Sequence, residues 1–88
     1  QLLVLAARAN GTARHMTIGS MLAAQKVEEL RSTPWSVRGE GIDRIDEFTR
    51  RWAVSPLGVD PARTAVIDVR VTPGGVRLVT LRTNEDDP

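Results

Sequence analysis

The sequence predicts an α+β domain in which one long N-terminal helix packs on a three-stranded antiparallel sheet. Three observations lead to that class. Small and apolar residues recur three and four apart from Leu2 to Leu30, the spacing of one face of a helix. Beyond residue 47 the period falls to two: "EFTRRWAV" sets Phe48, Arg50, Trp52 and Val54 against Thr49, Arg51 and Ala53, and "TAVIDVRV" sets Ala65, Ile67, Val69 and Val71 against Asp68 and Arg70. Proline and glycine clusters, "SPLGVDPAR" and "TPGG", punctuate these strands.

Length and composition set the bounds. A chain of 88 residues makes one domain, and a domain of this size buries roughly 60–65% of the surface its unfolded chain exposes. Aromatic rings come only from Trp35, Phe48 and Trp52, so Val, Leu, Ile and Ala must fill most of the core. Twelve basic and eleven acidic residues leave a net charge of +1. Such a balance gives no overall field toward nucleic acid or an acidic membrane. The chain has no cysteine, which excludes disulfides, thiol chemistry and thiolate metal sites.

The helical stripe comprises Leu2, Ala6, Ala9, Ala13, Met16, Ala23, Val27 and Leu30, with Ser20 filling the remaining place. Lys26, Glu28, Glu29 and Arg31 decorate the polar side. Thr33-Pro34 closes the element near Ser32, because a residue before proline is pushed out of the α region. A second apolar patch, Ile18, Met21 and Leu22, with Leu3 and Val4 nearer the start, asks for cover on another side; which patch meets the sheet stays open. Gly11 and Gly19 each weaken a helix by about 1 kcal/mol relative to Ala.

A helix from Leu2 to Ser32 would be about 45 Å long, against a body of roughly 26 Å in diameter for the remaining residues. About 20 Å of helix would therefore protrude, and it would carry "LLVLAA" at its tip. Apolar area left in water costs about 25 cal/mol per Å², so a patch of this kind marks an interface or a membrane contact. The chain is thus expected to divide into a protruding helix over 1–32 and a small sheet domain over 33–88, forming one unit. It opens at Gln1 inside the apolar run "QLLVLAARA", which reads as a cut end. Arg8 and Asn10 break that run well short of the ~20 residues needed to span a bilayer.

The rest of the chain reads as strands and loops. Ser36 to Ile45, with Gly39 and Gly41 and no clear period, reads as a loop. A strand is expected from Phe48 to Val54 and a half-buried one over "TAVIDVRV". "VRLVTLRT" completes a hairpin, but Val76 and Leu78 oppose Val79 and Leu81, so its register depends on the length of the "TPGG" loop. "NEDDP" reads as a polar tail.

No residue is assigned a catalytic, cofactor-binding or metal role. His15 has no carboxylate three or four residues away and reads as a surface histidine, since acid–base work needs a positioned partner. Ser20, Ser32, Ser36 and Ser55 have no base nearby in sequence. Asp43, Asp46 and Glu47, and the terminal "NEDD", do not match the oxygen-rich loop a calcium ion requires, and read as solvated charge. Gly39-x-Gly41 and Pro73-Gly74-Gly75 read as turns rather than phosphate cradles. Arg50, Arg51, Arg63, Arg70, Arg77 and Arg82 run through the strands beside Trp52, a pattern a single-stranded nucleic acid platform would use, but the near-neutral total opposes that use. Trp35 and Trp52 read as packing residues, with Trp52 directed toward the helix.

A long N-terminal helix ending in "A-x-K-V-E-E-L-R", a glycine-containing loop, an "R-R-W-x-V" strand and a "V-x-V-x-V" then "V-x-L-x-T-x-R" hairpin resemble the soluble part of type IV pilins and pseudopilins. The resemblance runs from Leu2 to Thr83 and is nearest to minor, pilus-modification prepilins. It implies a non-enzymatic structural subunit: an apolar helix that sits in the bacterial inner membrane before assembly and in the filament core afterwards, with a periplasmic or extracellular sheet domain at the filament surface. It implies partners that are other pilin or pseudopilin subunits, packed through a helix face of Leu2, Leu5, Ala6, Ala9, Ala13 and Met16, whose small side chains allow close approach. An upstream segment would anchor the subunit in the membrane. No cofactor, nucleic acid or small-molecule substrate is implied. The family's basic leader, methylated Phe and early Glu have no counterpart among these residues. Alternatives of similar build are a minor pseudopilin at the tip of a type II secretion system, and an adhesive or DNA-uptake pilin. Some relatives of this kind bind calcium, which leaves that alternative open without ligands.

Overall fold

The computed structural model describes residues 3–6, 13–33, 39–58 and 63–83. Among these residues one helix, α1, spans Ala13–Ser32. Strong helix formers crowd its second half, from Met21 through Arg31. Side chains hydrogen-bond the carbonyls near its end: Ser32 Oγ donates to that of Glu28 at 3.0 Å, and Thr33 Oγ1 donates at 2.7 Å to that of Leu30, which has no intrahelical partner. Arg82, 52 residues from Leu30 in the chain, donates from Nη1 to the same Leu30 carbonyl at 2.9 Å and from Nη2 to the Thr33 carbonyl.

Five strands follow or precede the helix: β1 (Leu3–Ala6), β2 (Gly39–Ile45), β3 (Phe48–Pro56), β4 (Thr64–Thr72) and β5 (Val76–Thr83). Neighbours pair antiparallel in the order β1-β5-β4-β3-β2. The α+β class is as expected, but the sheet is not three-stranded: one helix lies against a four-stranded antiparallel meander, β2 to β5, which β1 extends by a fifth strand, because two further segments, Leu3–Ala6 and Gly39–Ile45, take up free sheet edges. The helix packs over β4 and β5 and touches β3 at its margin.

The core lies between α1 and one face of the sheet. Period two delivers Ala65, Ile67, Val69 and Val71 from β4, all buried, and Phe48 and Val54 from β3. The Thr72 to Gly75 connection sets Val71 opposite Val76, which sends Val76, Leu78 and Thr80 to the helix and leaves Val79 and Leu81 on the far face. Gly74 and Gly75 make that turn at φ of 108° and 63°. From the helix come Ala23, Val27 and Leu30, with Ile18 and Leu22 packed against them. The expected stripe thus supplies the sheet contact in its second half. The second patch divides, because Met21 remains 67% exposed.

Gly19 has a packing reason. It is buried, and a Cβ there would stand 3.1 Å from Val76 Cγ2, so the glycine lets the helix approach β5 closely.

Two further expectations are corrected. The continuous helix from Leu2 to Ser32 is not formed: Leu3–Ala6 is a strand, with Leu3 opposite Thr80, Val4 opposite Val79, Leu5 opposite Leu78 and Ala6 opposite Arg77. A short apolar run fits strand and helix equally by pattern, and the edge of β5 offers its backbone groups as partners. Ala13–Ser32 is about 30 Å long, so the 20 Å overhang inferred from a longer rod falls away. Leu5 and Ala6 accordingly share no helical face with Ala13, which is exposed, or Met16, which is half-buried; Leu2, Ala9 and Trp35 lie outside the described residues.

The second correction concerns Ser36 to Ile45, read as a loop. Its Gly39–Ile45 portion is the edge strand β2. Gly41 lies opposite Trp52, and a Cβ on it would fall 2.3 Å from the indole ring. The glycine makes room for the tryptophan. It does not mark a loop.

Candidate functional site

The inner side of the sheet is occupied with holding the helix. Arg50, 5% exposed, leaves the apolar pattern of β3 and closes on Asp43 of β2 through two hydrogen bonds, Nε to Oδ1 at 2.9 Å and Nη2 to Oδ2 at 2.6 Å. Its Nη1 donates to the Leu22 carbonyl and to Gln25 Oε1, both at 3.1 Å. Lys26, also buried, bonds Glu29 at 2.6 Å, lies 3.7 Å from Asp43 and sits 4.0 Å from the centroid of the Trp52 ring. Trp52 therefore meets the helix, as expected. The Arg50 hydrogen bonds hold the Asp43 carboxyl below its ordinary value, and Asp43 in turn raises Arg50. Among the described residues, every buried side-chain nitrogen and oxygen has a partner.

A smaller cluster lies at the β2–β3 turn, where Asp46 adopts φ 54°. Arg14 Nη1 bonds Glu47 at 2.9 Å, and His15 Nε2 lies 3.7 Å from the other Glu47 oxygen. The His15 ring meets Phe48 edge-on, with centroids 5.8 Å apart. The acid near His15 thus arrives from another element, where local spacing does not reveal it. The Arg14 hydrogen bond holds Glu47 below its ordinary value. Asp43 and Glu47, weighed together as calcium ligands, face different cations. Among the described residues no three His, Cys, Asp or Glu side chains are placed to hold a metal.

The outer face of the sheet is the candidate binding surface. Alternation turns Glu40, Ile42 and Arg44 of β2, Arg51 and Ala53 of β3, Asp68 and Arg70 of β4, and Arg77 and Val79 of β5 away from α1. The register then aligns three guanidinium groups across three strands, Arg51 opposite Arg70 and Arg70 opposite Arg77. Like charges directly opposite one another are unfavourable. Asp68 relieves the row: Arg77 grips it through Nε at 3.2 Å and Nη2 at 2.7 Å, and Arg70 stands 3.7 Å away. The Arg77 hydrogen bonds lower the Asp68 carboxyl from its ordinary value.

An open groove of about 510 Å³ runs over this face between Glu40, Ile42, Arg51, Ala53, Asp68 and Arg70. It offers an apolar floor flanked by charges of both signs, which suits recognition of an extended or anionic partner. Among its lining residues no nucleophile stands beside a base. The sequence showed the arginines but not their alignment, which follows from the strand register. Comparison of the chain with protein-family models, with curated proteins and with solved structures gave no match.

Proposed function

We propose that this chain is a non-enzymatic structural subunit of the pilin and pseudopilin kind, a minor pilin that joins a filament built from similar subunits. One observation carries the reading: the helix bearing "AAQKVEELR" lies braced on the antiparallel meander that follows it, the helix-then-meander order the sequence resemblance implies, with β1 ahead of the helix as the departure. The bracing supports a mechanical role. Arg50 and Lys26 fasten the middle of α1 to β2 and β3, and Arg82 fastens its end to β5. In this reading the partners are neighbouring subunits, an upstream segment holds the inner membrane, and the sheet domain lies outside it. Among the described residues no helix is long and apolar enough to cross a membrane. The alternative assembly of the same build is the tip of a type II secretion system, with the chain as a minor pseudopilin.

The reading makes a demand on β1. Packing through an N-terminal helix face requires Leu3–Ala6 to leave β5 and continue α1 upstream. A cysteine pair at the facing positions Val4 and Val79 locks the strand when oxidised. Expressed beside a pilus-assembly machinery, the V4C/V79C chain is expected in filaments only when reduced. Equal incorporation of the locked chain would remove helix-mediated assembly from consideration.

The aligned Arg51, Arg70 and Arg77 favour a second reading, a pilin that retains DNA on the outer sheet face. It requires salt-dependent retention on DNA that weakens when Arg51 and Arg70 become Ala. Failure to bind at low salt sinks it.

A further inference from the structure

We propose that the free edge of β2 pairs antiparallel with the same edge of a second copy of this chain, about a two-fold axis at Ile42, joining two five-stranded sheets into one. The inference is independent of the pilin reading. β2 ends the strand order, so among the described residues nothing pairs with its outer side.

Backbone parity comes first. Ile45 pairs with Phe48 across a two-residue turn, and such a turn closes on a hydrogen-bonded pair. Alternation from that pair turns the N–H and C=O groups of Gly41 and Asp43 toward β3. Those of Glu40, Ile42 and Arg44 point outward, away from the sheet. A two-fold axis at Ile42 sets Ile42 opposite its own copy and Glu40 opposite Arg44 of the other chain, all three pairs in hydrogen-bonding positions.

Side chains select the same register. Glu40 and Arg44 are exposed on the outer face, and Ile42 between them is 55% exposed. The antiparallel register centred on Ile42 makes two Glu40–Arg44 ion pairs around an Ile42–Ile42 contact. A parallel alignment would set Glu40 beside Glu40, and a shift of two residues sets Arg44 against Ile42. Charges that commonly guard an edge strand against strangers here match its own copy. The helix leaves room for the partner, because its backbone lies over β4 and β5, and among the described residues the long Lys26 side chain spans from it to β2. One seven-residue strand pair is a small interface, so a weak dimer that forms only as concentration rises is expected.

Sedimentation equilibrium of the chain over a range reaching 1 mM tests the proposal, with circular dichroism confirming that each variant folds. Wild type is expected to pass from monomer to dimer. Glu40→Arg or Arg44→Glu alone should weaken the dimer about tenfold, because both ion pairs become repulsive. An equimolar mixture of the two variants should dimerise again, since each then meets its complement, and so should the double variant E40R/R44E. Ile42→Pro, which removes an outward N–H and leaves the bonds to β3 intact, should abolish it. A chain that stays monomeric at 1 mM overturns the proposal, as does a dimer indifferent to Glu40→Arg, or a charge-swapped mixture that fails to recover.

Discussion

Arg50 and Asp43 face each other across the β2–β3 ladder and join through two hydrogen bonds of 2.9 and 2.6 Å, with the guanidinium buried and the carboxylate one-third exposed. The same guanidinium reaches the Leu22 carbonyl, so a single side chain ties the edge hairpin to the helix. Replacing Arg50 by Met keeps most of the volume, removes its extra bond to the helix carbonyl and leaves Asp43 without its guanidinium partner. The cost should be about 2–3 kcal/mol, below that of a fully buried pair because water reaches Asp43. Urea denaturation measures it; a midpoint unchanged from wild type would show that the clasp contributes nothing net.

The same pair has a pH signature. Asp43 is held below its ordinary value chiefly by the Arg50 hydrogen bonds. A depressed carboxyl adds stability that is fully present above its unfolded pKa, about 4, and is lost as pH falls through the folded value. Asp43→Asn should therefore lower stability at pH 7 and flatten the decline below pH ~4. Glu47→Gln, whose carboxylate and chief partner Arg14 are both exposed, should flatten it less. Thermal melts at stepped pH check the order, and parallel acid limbs for wild type and Asp43→Asn would contradict it.

Gly41 and Trp52 form a pair of complementary shapes. A methyl at Gly41 would fall 2.3 Å from the indole, so Gly41→Ala must displace the ring and with it the Lys26 stack. A loss of about 1–3 kcal/mol is expected, together with a red shift in the Trp52 emission measured in a Trp35→Phe background. A variant as stable as wild type with unshifted emission would mean that the ring does not rest on the glycine.

The elements legible in the sequence were those whose period outruns their length uncertainty. The buried sides of β3 and β4 alternate cleanly, so Trp52, Ile67 and Val69 occupy the side expected, and the second half of α1 repeats at helical spacing, although which of its faces meets the sheet was open. Two short segments were not legible, for opposite reasons. Leu3–Ala6 is apolar at every position, which erases the period that separates strand from helix. Gly39–Ile45 offers glycine on the side that should be apolar, because Trp52 fills the space from the neighbouring strand. The arginine row was hidden in the same sense. Arg51, Arg70 and Arg77 stand far apart along the chain and meet only through the register of β3, β4 and β5.

Val69 tests the strand assignment directly. It has no exposure to solvent and lies between Trp52 and Leu78 in register. Val69→Asp buries an unpaired carboxylate at a cost of several kcal/mol, enough to unfold a domain whose total stability is of order 5–10 kcal/mol. Loss of the cooperative thermal transition is expected, whereas Val79→Asp on the opposite face should keep it. Retained folding by Val69→Asp would place that residue at the surface and reverse the faces of β4.

Arg82 closes the helix from the far end of the chain. Its two N–H groups meet the carbonyls of Leu30 and Thr33, which the end of α1 leaves without intrahelical partners. Arg82→Ala should cost about 1–2 kcal/mol, and the loss should be local first: amide exchange over Glu28 to Thr33 should accelerate before that of Val69 or Leu78. Arg82→Lys keeps the charge but lacks the planar fork that spans two carbonyls, so it should recover less than half of the stability. If lysine restores all of it, the side chain acts through its charge on the helix terminus and the paired hydrogen bonds carry no weight.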